Sequence, residues 1–393
     1  MKRKCAICKS GDFEDLFTQK FIIVGNNSNF SYSIVACKKC GFTYASNIPS
    51  QENYEEFYKK STKYSLRETK DKIPLVAEES NKYYYSLINS YIGNTNLKRK
   101  WKKLRILDIG CGSGYLLNNF KKNGYLNLLG IDPAPSCRVL ARRLFDVEVK
   151  TFPISKFEDK KKFDLIIATG VLEHLEDLNK NLLKIVQLLK DDGYLFISVP
   201  DANHFGRVLK EPFLEFSLEH INYFTKKSLF NLLQKYNLNN IYYESKEFKT
   251  FGAYASLSFW KKDNNVTHNI RFDKTGKSSI KKYIVASYKK LEKIEKTITK
   301  LIGTQEKIVI WGAGSLTSRL LATTDLKKAN MQFFVDSNKS HQGKKIFGYD
   351  IFSPNKLRNS KDTVLIASYV HGRSIRQTLE KEFKYEGKII ALN

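Results

Sequence analysis

The 393-residue chain carries 67 lysine and arginine residues against 40 aspartate and glutamate residues, a formal net charge of +27. At about 150 residues per domain, this length corresponds to two or three domains. A content of 42% hydrophobic and 27% charged residues excludes wholesale disorder. No apolar run approaches the roughly 20 residues that cross a bilayer. The acidic and basic residues between Lys9 and Asp15 exclude a signal-peptide core. We therefore expect a cytoplasmic protein.

The excess of positive charge favours an acidic partner such as nucleic acid, a phosphorylated small molecule or an anionic membrane face. The lysines are spread along the whole chain and do not gather in one tract. A solvated basic surface therefore explains the composition better than a dedicated binding stripe. Charge by itself assigns no function.

The cysteines predict a metal site near the start of the chain. Four of the six form two Cys-x-x-Cys pairs, at Cys5, Cys8, Cys37 and Cys40. Two such turns can present four thiolates to one tetrahedral zinc ion, and Gly41 suits a tight turn after the second pair. The alternating segment 30–35 can form a hairpin across the spacer. A redox pair fits less well, because neither pair opens a helix after a strand. With four cysteine ligands no position stays open, so we predict a structural zinc.

The pattern along the chain predicts four parts. A four-cysteine zinc module over residues 1–50 is followed by a helical connector, rich in tyrosine and lysine, over 51–100. A strand–helix alternation then covers 101–262, and a second one covers 278–393. Such alternation is typical of βαβ units, so we predict an α/β protein with two largely parallel sheets. The connector's tyrosines either line a cleft or pack the connecting helix.

Apolar runs locate the predicted elements. The first series has strands at 104–108, 128–132, 163–168 and 194–199, then a helix at 228–236 and strands at 241–244 and 254–260. A long helix over Ser279–Leu301 has apolar residues in steps of three, four or seven, which fits a dimer seam or docking on a neighbouring domain. The second series has strands at 307–311, 331–335, 363–367 and 388–392.

A glycine-rich loop carries the most informative chemistry. Asp108 ends the first core strand, and glycines follow at Gly110, Gly112 and Gly114. Glycine is needed where the backbone turns sharply and a ligand lies against it. Asp132 ends the next strand, where a carboxylate can accept ribose hydroxyls. An acid directly before the loop repels pyrophosphate but suits a ligand with a cationic amino acid end. S-adenosylmethionine (SAM) is such a ligand.

Four segments resemble the ordered motifs of class I SAM-dependent methyltransferases: Asp108-Ile-Gly-Cys-Gly-Ser-Gly114, Gly130-Ile-Asp-Pro133, Phe163-Asp-Leu-Ile and Val171-Leu-Glu-His-Leu175. The resemblance covers about residues 100–260. It implies that the glycines pack against the methionine part of SAM and that Asp132 holds the ribose. It also implies that the adenine lies near Thr151 and Phe152.

The three-part organisation resembles the sugar C-methyltransferase family that acts on nucleotide-linked deoxysugars. In that family a Glu-His pair lies beside the substrate, and Glu219 and His220 are the matching residues here. A tyrosine often precedes that glutamate by two residues, whereas this chain has Ser217, which leaves carbon and oxygen transfer both open. We predict that His220 is the general base and that Glu219 orients it or stabilises its charged form. The alternative is that His220 serves a loop hydrogen-bond network. His174 is interpreted as a structural or cofactor-side residue.

A second glycine box opens the C-terminal alternation, at Trp311-Gly-Ala-Gly-Ser-Leu-Thr317, with Asp336 about one βαβ unit later. A dinucleotide such as NAD is the usual ligand of such a box, but Thr317 occupies the third glycine position. Our hypothesis is that this domain supports the acceptor and binds no second cofactor.

Three alternatives stay open at this point. A tRNA or rRNA methyltransferase would suit the charge and the zinc module. It would usually have an Asn/Asp-Pro-Pro-Tyr-type loop where this chain reads 168–174, or a nucleophilic cysteine, for which only Cys111 and Cys137 remain. An O-methyltransferase of a capsule or lipopolysaccharide glycan, or of another small molecule, is the second. A non-catalytic zinc and nucleotide scaffold is the third. We expect a monomer or a homodimer.

Overall fold

The structure is a computed structural model, and it describes residues 3–25, 28–50, 53–54, 75–250, 252–263, 265–369 and 371–392. Positions 51–52 and 55–74 of the predicted helical connector, with Tyr58 and Tyr64, lie outside the described residues. Among the described residues, no helix is both long enough and apolar enough to span a membrane.

The described strands, in chain order, are β1 (Phe13–Ile22), β2 (Asn29–Cys37), β3 (Thr43–Ser46), β4 (Arg105–Ile109), β5 (Asn127–Asp132), β6 (Val149–Thr151), β7 (Phe163–Thr169), β8 (Leu189–Pro200), β9 (Asn222–Tyr223), β10 (Leu238–Phe248), β11 (Ala253–Lys262), β12 (Ile308–Trp311), β13 (Met331–Val335), β14 (Lys345–Ile346), β15 (Tyr349–Phe352), β16 (Thr363–Ile366) and β17 (Ile389–Ala391). The described α-helices are α1 (Leu75–Gly93), α2 (Tyr115–Lys122), α3 (Pro135–Phe145), α4 (Leu178–Leu188), α5 (Lys226–Gln234), α6 (Lys274–Thr304), α7 (Ser315–Thr323) and α8 (Gly372–Gln377).

The chain forms two compact units. Unit 1 comprises Met1–Glu14, Val35–Val208 and Glu219–Ile280. Unit 2 comprises Asp15–Ile34, Leu209–Leu218 and Lys281–Asn393. Each unit is described by itself below.

Unit 1 is built on a seven-stranded sheet in the order β10-β11-β8-β7-β4-β5-β6. The five strands β6, β5, β4, β7 and β8 are parallel, and β11 and β10 extend the sheet in antiparallel fashion. Leu107 and Ile109 of β4 belong to one buried cluster and Ile106 belongs to another, so both faces of this strand are covered. The predicted α/β class and the predicted strands of this region are confirmed.

The strand order places a topological switch point beside β4. From β4 the chain proceeds to β5 and β6 on one side, and then to β7 and β8 on the other. In such sheets, ligands bind outside the carboxyl ends of the strands, at the point where the order reverses. The carboxyl ends of β4, β5, β7 and β8 are therefore the edge at which a site is expected.

The tyrosines of α1 pack this helix onto the sheet of unit 1. The ring of Tyr84 meets that of Phe196 edge-on at 5.9 Å between centroids, and Tyr85 meets Phe120 at 5.1 Å. Tyr84 also contacts Ser198 through its hydroxyl, with 3.0 Å between the two oxygens. For these residues, the packing interpretation of the connector is correct.

Unit 2 contains a six-stranded sheet in the order β14-β15-β13-β12-β16-β17, in which β14 alone of these described strands is antiparallel to its neighbour. The predicted second parallel α/β series is therefore confirmed. In the long helix α6, the apolar positions are buried within the chain itself: Ile284, Leu291, Ile294, Ile298 and Leu301. Burial within one chain accounts for the spacing of these apolar residues.

Candidate functional site

The loop between β4 and α2 is shaped by its glycines. Gly110, Gly112 and Gly114 have positive φ angles of 66°, 51° and 76°, which residues other than glycine rarely adopt. A Cβ on Gly110 would lie 2.8 Å from the Val171 side chain, and one on Gly114 would lie 2.6 Å from that of Val147. The bare backbone thus turns tightly here at the carboxyl end of β4.

Asp108, at the end of β4, is a buried carboxyl group without a full set of partners. Its side chain is 2% exposed, and its Oδ1 has no hydrogen-bond partner among the described residues. Burial, and after it the nearby charge of Asp132, together raise the pKa of Asp108 to about 8. A buried carboxylate of this kind is costly unless a cation joins it. The residues at this point therefore fit a ligand that brings an ammonium group.

Asp132, at the end of β5, faces the same loop. Its Oδ2 accepts a hydrogen bond from the Gly112 N–H at 3.0 Å, and its Oδ1 accepts one from the Ala134 N–H at 2.9 Å. Burial raises the pKa of Asp132, although these two N–H groups act in the opposite direction. The Cys137 thiol also donates to this carboxylate, which has about four lone-pair sites and can still accept from a hydroxyl group.

Thr151 and Phe152 lie beside Asp132, at the outer strand of the sheet. Thr151 is the last residue of β6 and is the pairing partner of Asp132 across the β5–β6 ladder. The Phe152 ring is 43% exposed. Both residues line a cavity of about 710 Å³, together with Arg138 and Arg142. An exposed aromatic ring on a cavity wall suits stacking with a planar base, and the adenine contact stays a prediction.

The structure brings two histidines and a glutamate together beyond the carboxyl end of β7. His174 Nδ1 lies 3.0 Å from the backbone oxygen of Glu219, and a carbonyl can only accept, so Nδ1–H is the donor. The rings of His174 and His220 meet edge-to-face at 4.8 Å between centroids. Glu173 is 3% exposed, and its Oε1 is 4.0 Å from His174 Nε2. Ile221 N–H donates to Glu173 O at 2.8 Å and fixes the two segments to each other.

His220 thus adjoins the pair Glu173-His174, and Glu219 contributes its backbone carbonyl to this cluster. Sequence reasoning passed over Glu173 and kept His174 apart from the catalytic pair. The available signal was their adjacency in the segment 171–175, which follows β7 at the ligand-binding edge of the sheet.

The four cysteines of the N-terminal module converge. Their ligand sulfurs all lie within 4.8 Å of one another, with 3.4 Å between the Sγ atoms of Cys5 and Cys40 and also between those of Cys8 and Cys37. Four sulfurs at about 2.3 Å from one zinc ion would be about 3.8 Å apart, close to the spacing found here. Hydrogen bonds from the Cys40 and Cys5 thiols lower the pKa of Cys37. The donor set therefore fits one zinc ion.

Gly41 ends the second Cys-x-x-Cys turn at a position that has no room for a side chain. Its φ angle is 81°, and its N–H donates to Cys37 O at 2.8 Å. A Cβ at this position would lie 2.2 Å from the backbone oxygen of Asp273. Because neither backbone can move far, glycine is required here.

The other two cysteines are unsuited to nucleophilic chemistry. Burial raises the pKa of both Cys111 and Cys137 above that of a free thiol. Both side chains therefore stay protonated at neutral pH, and the thiolate is the reactive form. This agrees with the sequence argument against a cysteine-dependent base methyltransferase.

In unit 2, the second glycine box is bonded internally. Asp336 accepts hydrogen bonds from the Ala313 N–H at 2.8 Å and the Asn338 N–H at 2.7 Å. The Thr317 hydroxyl donates to Gly312 O, within the box itself. The hypothesis that this box binds no second cofactor stays a prediction.

Two family models match the chain. One, described as a methyltransferase domain, matches residues 62–243, and the other, described as C2185-like, N-terminal, matches residues 304–390.

The chain is 30% identical over 106 residues to the ubiquinone biosynthesis O-methyltransferase of Bradyrhizobium sp. (strain ORS 278). That alignment covers 25% of this chain and 41% of the relative. It is 26% identical over 180 residues to the enzyme of the same name from Rickettsia typhi. That alignment covers 42% of this chain and 71% of the relative.

A similar solved structure is that of 1,6-didemethyltoxoflavin-N1-methyltransferase from Burkholderia thailandensis. The match has 17% sequence identity and a TM-score of 0.43, and it covers 59% of this chain and 96% of that one. The chain spans only 41% of the length of the first of the curated relatives named above. The match over residues 62–243 coincides with the parallel sheet, the glycine loop and the paired acids Asp108 and Asp132. Residues 62–243 therefore match a methyltransferase domain, and unit 1 has the Rossmann-like fold of such domains.

Proposed function

We propose that the protein is a SAM-dependent methyltransferase that acts on a sugar, and that this sugar is linked to a nucleotide. The observation that carries the cofactor assignment is Asp108, a buried carboxyl group with an unpartnered oxygen beside the glycine loop. The match to a methyltransferase domain supports the reaction class. The sugar acceptor rests on the resemblance of the three-part chain to the sugar C-methyltransferase family.

Each part of the cofactor has a candidate partner in unit 1. Asp108 would pair with its ammonium, Asp132 would accept its ribose hydroxyls, and Thr151 with Phe152 would contact the adenine. The glycines Gly110, Gly112 and Gly114 leave room for the methionine part against the backbone. When bound, SAM supplies an electrophilic methyl group on a sulfonium.

His220 is proposed to take the proton that the acceptor must lose before a hydroxyl or a carbon can accept a methyl group. The neighbouring Glu173 would stabilise the positively charged imidazolium of His220 that results, because it is a buried acid close to both histidine rings. His174 holds its ring fixed by donating to Glu219 O. Glu219 is the residue proposed to orient His220.

Oxygen transfer to a glycan or to another small molecule is the second candidate. The observation that favours it is the similarity of the chain to ubiquinone biosynthesis O-methyltransferases. The absence of the family's usual tyrosine at Ser217 points the same way. An RNA acceptor has the net charge of +27 as its support.

We also propose that Cys5, Cys8, Cys37 and Cys40 hold one structural zinc ion. Four cysteines complete a tetrahedron, so no position is left for a substrate or a water molecule. Unit 1 buries Cys5, Cys37 and Cys40 in the same apolar cluster as Val35 and Phe42, which makes the module part of the core.

The proposed function is tested by incubating the purified protein with SAM and separate nucleoside-diphosphate sugars, glycan fragments and RNA. We expect one sugar nucleotide to gain a methyl group, detected by mass spectrometry, with formation of S-adenosylhomocysteine (SAH). Fragmentation of the product distinguishes C-methyl from O-methyl sugars. Methylation of RNA, or of a glycan alone, would replace the nucleotide-linked sugar as the acceptor.

Asp108→Asn should weaken SAH binding about 10- to 100-fold, because it removes a charged partner of the ligand's ammonium group. It should also change how stability depends on pH. The pKa of Asp108 is raised to about 8 in the folded protein, against about 3.9 in an unfolded chain. Between these values the folded state holds a proton that the unfolded state has lost, so stability falls as pH rises from about 4 to 8.

Isothermal titration calorimetry with SAH and thermal melts of the ligand-free protein from about pH 5 to 9 measure both effects. Asn at position 108 cannot ionise, so the decline should become smaller in the variant. The exposed Asp191→Asn substitution is the control. Unchanged SAH affinity in Asp108→Asn would contradict the role of this carboxylate.

A further inference from the structure

A second histidine–carboxylate pair lies at the carboxyl end of β8, outside the motifs of the glycine loop. Asp201 directly follows β8 and is 1% exposed. Its Oδ2 lies 2.9 Å from Nδ1 of His204 and accepts a hydrogen bond from the Ser245 hydroxyl at 2.6 Å. Its Oδ1 accepts from the backbone and side-chain N–H groups of Asn203, at 3.0 and 3.1 Å. The carboxylate is thus fixed by three residues.

This arrangement determines which nitrogen of His204 carries the proton. An ionised carboxylate can only accept hydrogen bonds, so Nδ1 of the neutral imidazole is the donor and Nε2 is the acceptor. The ring is stacked on Tyr254, with 4.4 Å between centroids and 21° between planes. Tyr254 is fixed in turn by the hydrogen bond from its hydroxyl to Glu247 at 3.0 Å. His204 therefore presents an oriented acceptor nitrogen.

The side chain of His204 is partly exposed. The His204 side chain is 17% exposed, and its contacts in the described part of the chain involve Nδ1 and the ring face. Nothing in the described ranges hydrogen-bonds to Nε2. An ordered imidazole whose second nitrogen is left open, at the ligand-binding edge of a parallel sheet, is suited to receive a hydroxyl group.

A cation lies next to this acceptor. Arg207 is exposed, its backbone N–H donates to His204 O at 2.9 Å, and its guanidinium is 6.0 Å from the centre of the Tyr254 ring. Within the described residues, no carboxylate forms an ion pair with Arg207. A free guanidinium binds phosphate through two parallel hydrogen bonds. His204 and Arg207 together present one hydrogen-bond acceptor and one positive charge.

The pair adjoins the segment that carries His220. Phe205 meets the ring of Tyr223 edge-on at 6.3 Å, and the Tyr223 hydroxyl donates to His220 O at 3.0 Å. Ala202 N–H donates to Phe224 O at 2.8 Å, so the chain after β8 runs beside the chain after His220. Both segments lie within unit 1.

We propose that His204 and Arg207 form an acceptor-binding subsite, in which His204 Nε2 accepts a hydrogen bond from a hydroxyl group and Arg207 binds a phosphate. Asp201 is a positioning residue that acts through His204. The ligand is therefore a hydroxylated molecule that carries a phosphate group. This inference rests on the proposed function, and it deepens that function by assigning the groups that recognise the acceptor.

The test is calorimetric titration of the SAH-saturated protein with UDP-glucose, dTDP-glucose, GDP-mannose and glucose 1-phosphate as probes, each up to about 1 mM. We expect at least one probe to bind, and both His204→Gln and Arg207→Gln to weaken its affinity about tenfold or more. SAH affinity should stay within about twofold of that of the unmodified protein. The exposed residues His268 and Arg99 provide matched controls, as His268→Gln and Arg99→Gln.

Asp201→Asn tests the positioning role of Asp201 through the tautomer of His204. Nitrogen NMR of the histidine rings should show His204 protonated on Nδ1 in the unmodified protein, and a mixture of tautomers in the variant. The affinity for the probe should fall while SAH binding is retained. An unchanged tautomer in Asp201→Asn would remove the positioning role.

The remaining outcomes separate this inference from the proposed function. If no probe binds, or if His204→Gln and Arg207→Gln bind it as well as the controls do, the subsite is overturned. If binding depends on both residues but no bound probe is ever methylated, the subsite stands and the proposed methyl transfer to that molecule falls.

Discussion

Replacing His220 with alanine should lower the turnover number for methyl transfer about 100- to 10,000-fold, the usual contribution of a general base. The acceptor cannot lose its proton at a useful rate without a base beside it. The affinity for SAH should not change, because the predicted cofactor contacts are made by other residues at the ends of β4, β5 and β6. The measurement is kcat with the methylated acceptor, alongside calorimetry with SAH.

The neighbouring residues make this test specific. His174 lies 4.8 Å from His220, ring to ring, and its Nδ1 is bonded to Glu219 O. His174→Gln should therefore lower turnover less than His220→Ala does, if His174 only supports the ring and the loop. His268→Ala, at an exposed position, is the control for loss of a histidine. Normal turnover in His220→Ala would show that another group takes the proton.

Cys37→Ser should abolish the binding of one zinc ion per chain and lower the melting temperature by about 10 °C or more. Structural zinc contributes folding free energy directly, and a loss of several kcal/mol produces a shift of this size. Cys37 is 1% exposed and lies in the main apolar cluster of unit 1, so the module cannot open without disturbing this core. Metal analysis of the purified protein and thermal melts measure the two effects.

Loss of zinc should also reduce methyl transfer. Strand β3, which follows the second cysteine pair, is paired with β9 through Thr43 and Tyr223, and β9 begins two residues after His220. A disordered module would therefore release one side of the segment that carries the proposed base. Cys137→Ala, at a buried cysteine outside the cluster, controls for loss of a thiol and should retain the metal. A Cys37→Ser protein with unchanged zinc content would contradict the four-cysteine site.

Local sequence determined the elements that depend on short-range pattern. The strands around Asp108, Asp132 and Phe163 were predictable because buried parallel strands form continuous apolar runs. The glycine loop was predictable because its positive φ angles require glycine, and the two Cys-x-x-Cys pairs were predictable because ligand spacing within each pair is local. The short strands β9 and β14 were missed, since two residues carry no periodicity.

Only the tertiary structure decided which distant residues meet. Glu173 and His174 lie next to His220 because Ile221 N–H bonds to Glu173 O, a contact between segments that the sequence separates. In the same way, Asp201 gains its Ser245 partner from β10, which is brought near by the antiparallel extension of the sheet. Such pairings depend on the order of strands, which no local pattern encodes.

The division of the chain into units was also decided by long-range contacts. Residues 15–34 and 209–218 belong to the unit that contains 281–393. Within that unit, the Ser318 hydroxyl donates to Ile22 O at 2.6 Å, and the buried Arg319 donates to Pro212 O at 3.0 Å and to Phe213 O at 2.9 Å. A buried guanidinium requires acceptors wherever the fold provides them. The sequence by itself determined the longer core strands, the glycine loop and the cysteine pairs, and the long-range hydrogen bonds of buried polar groups determined how they are assembled.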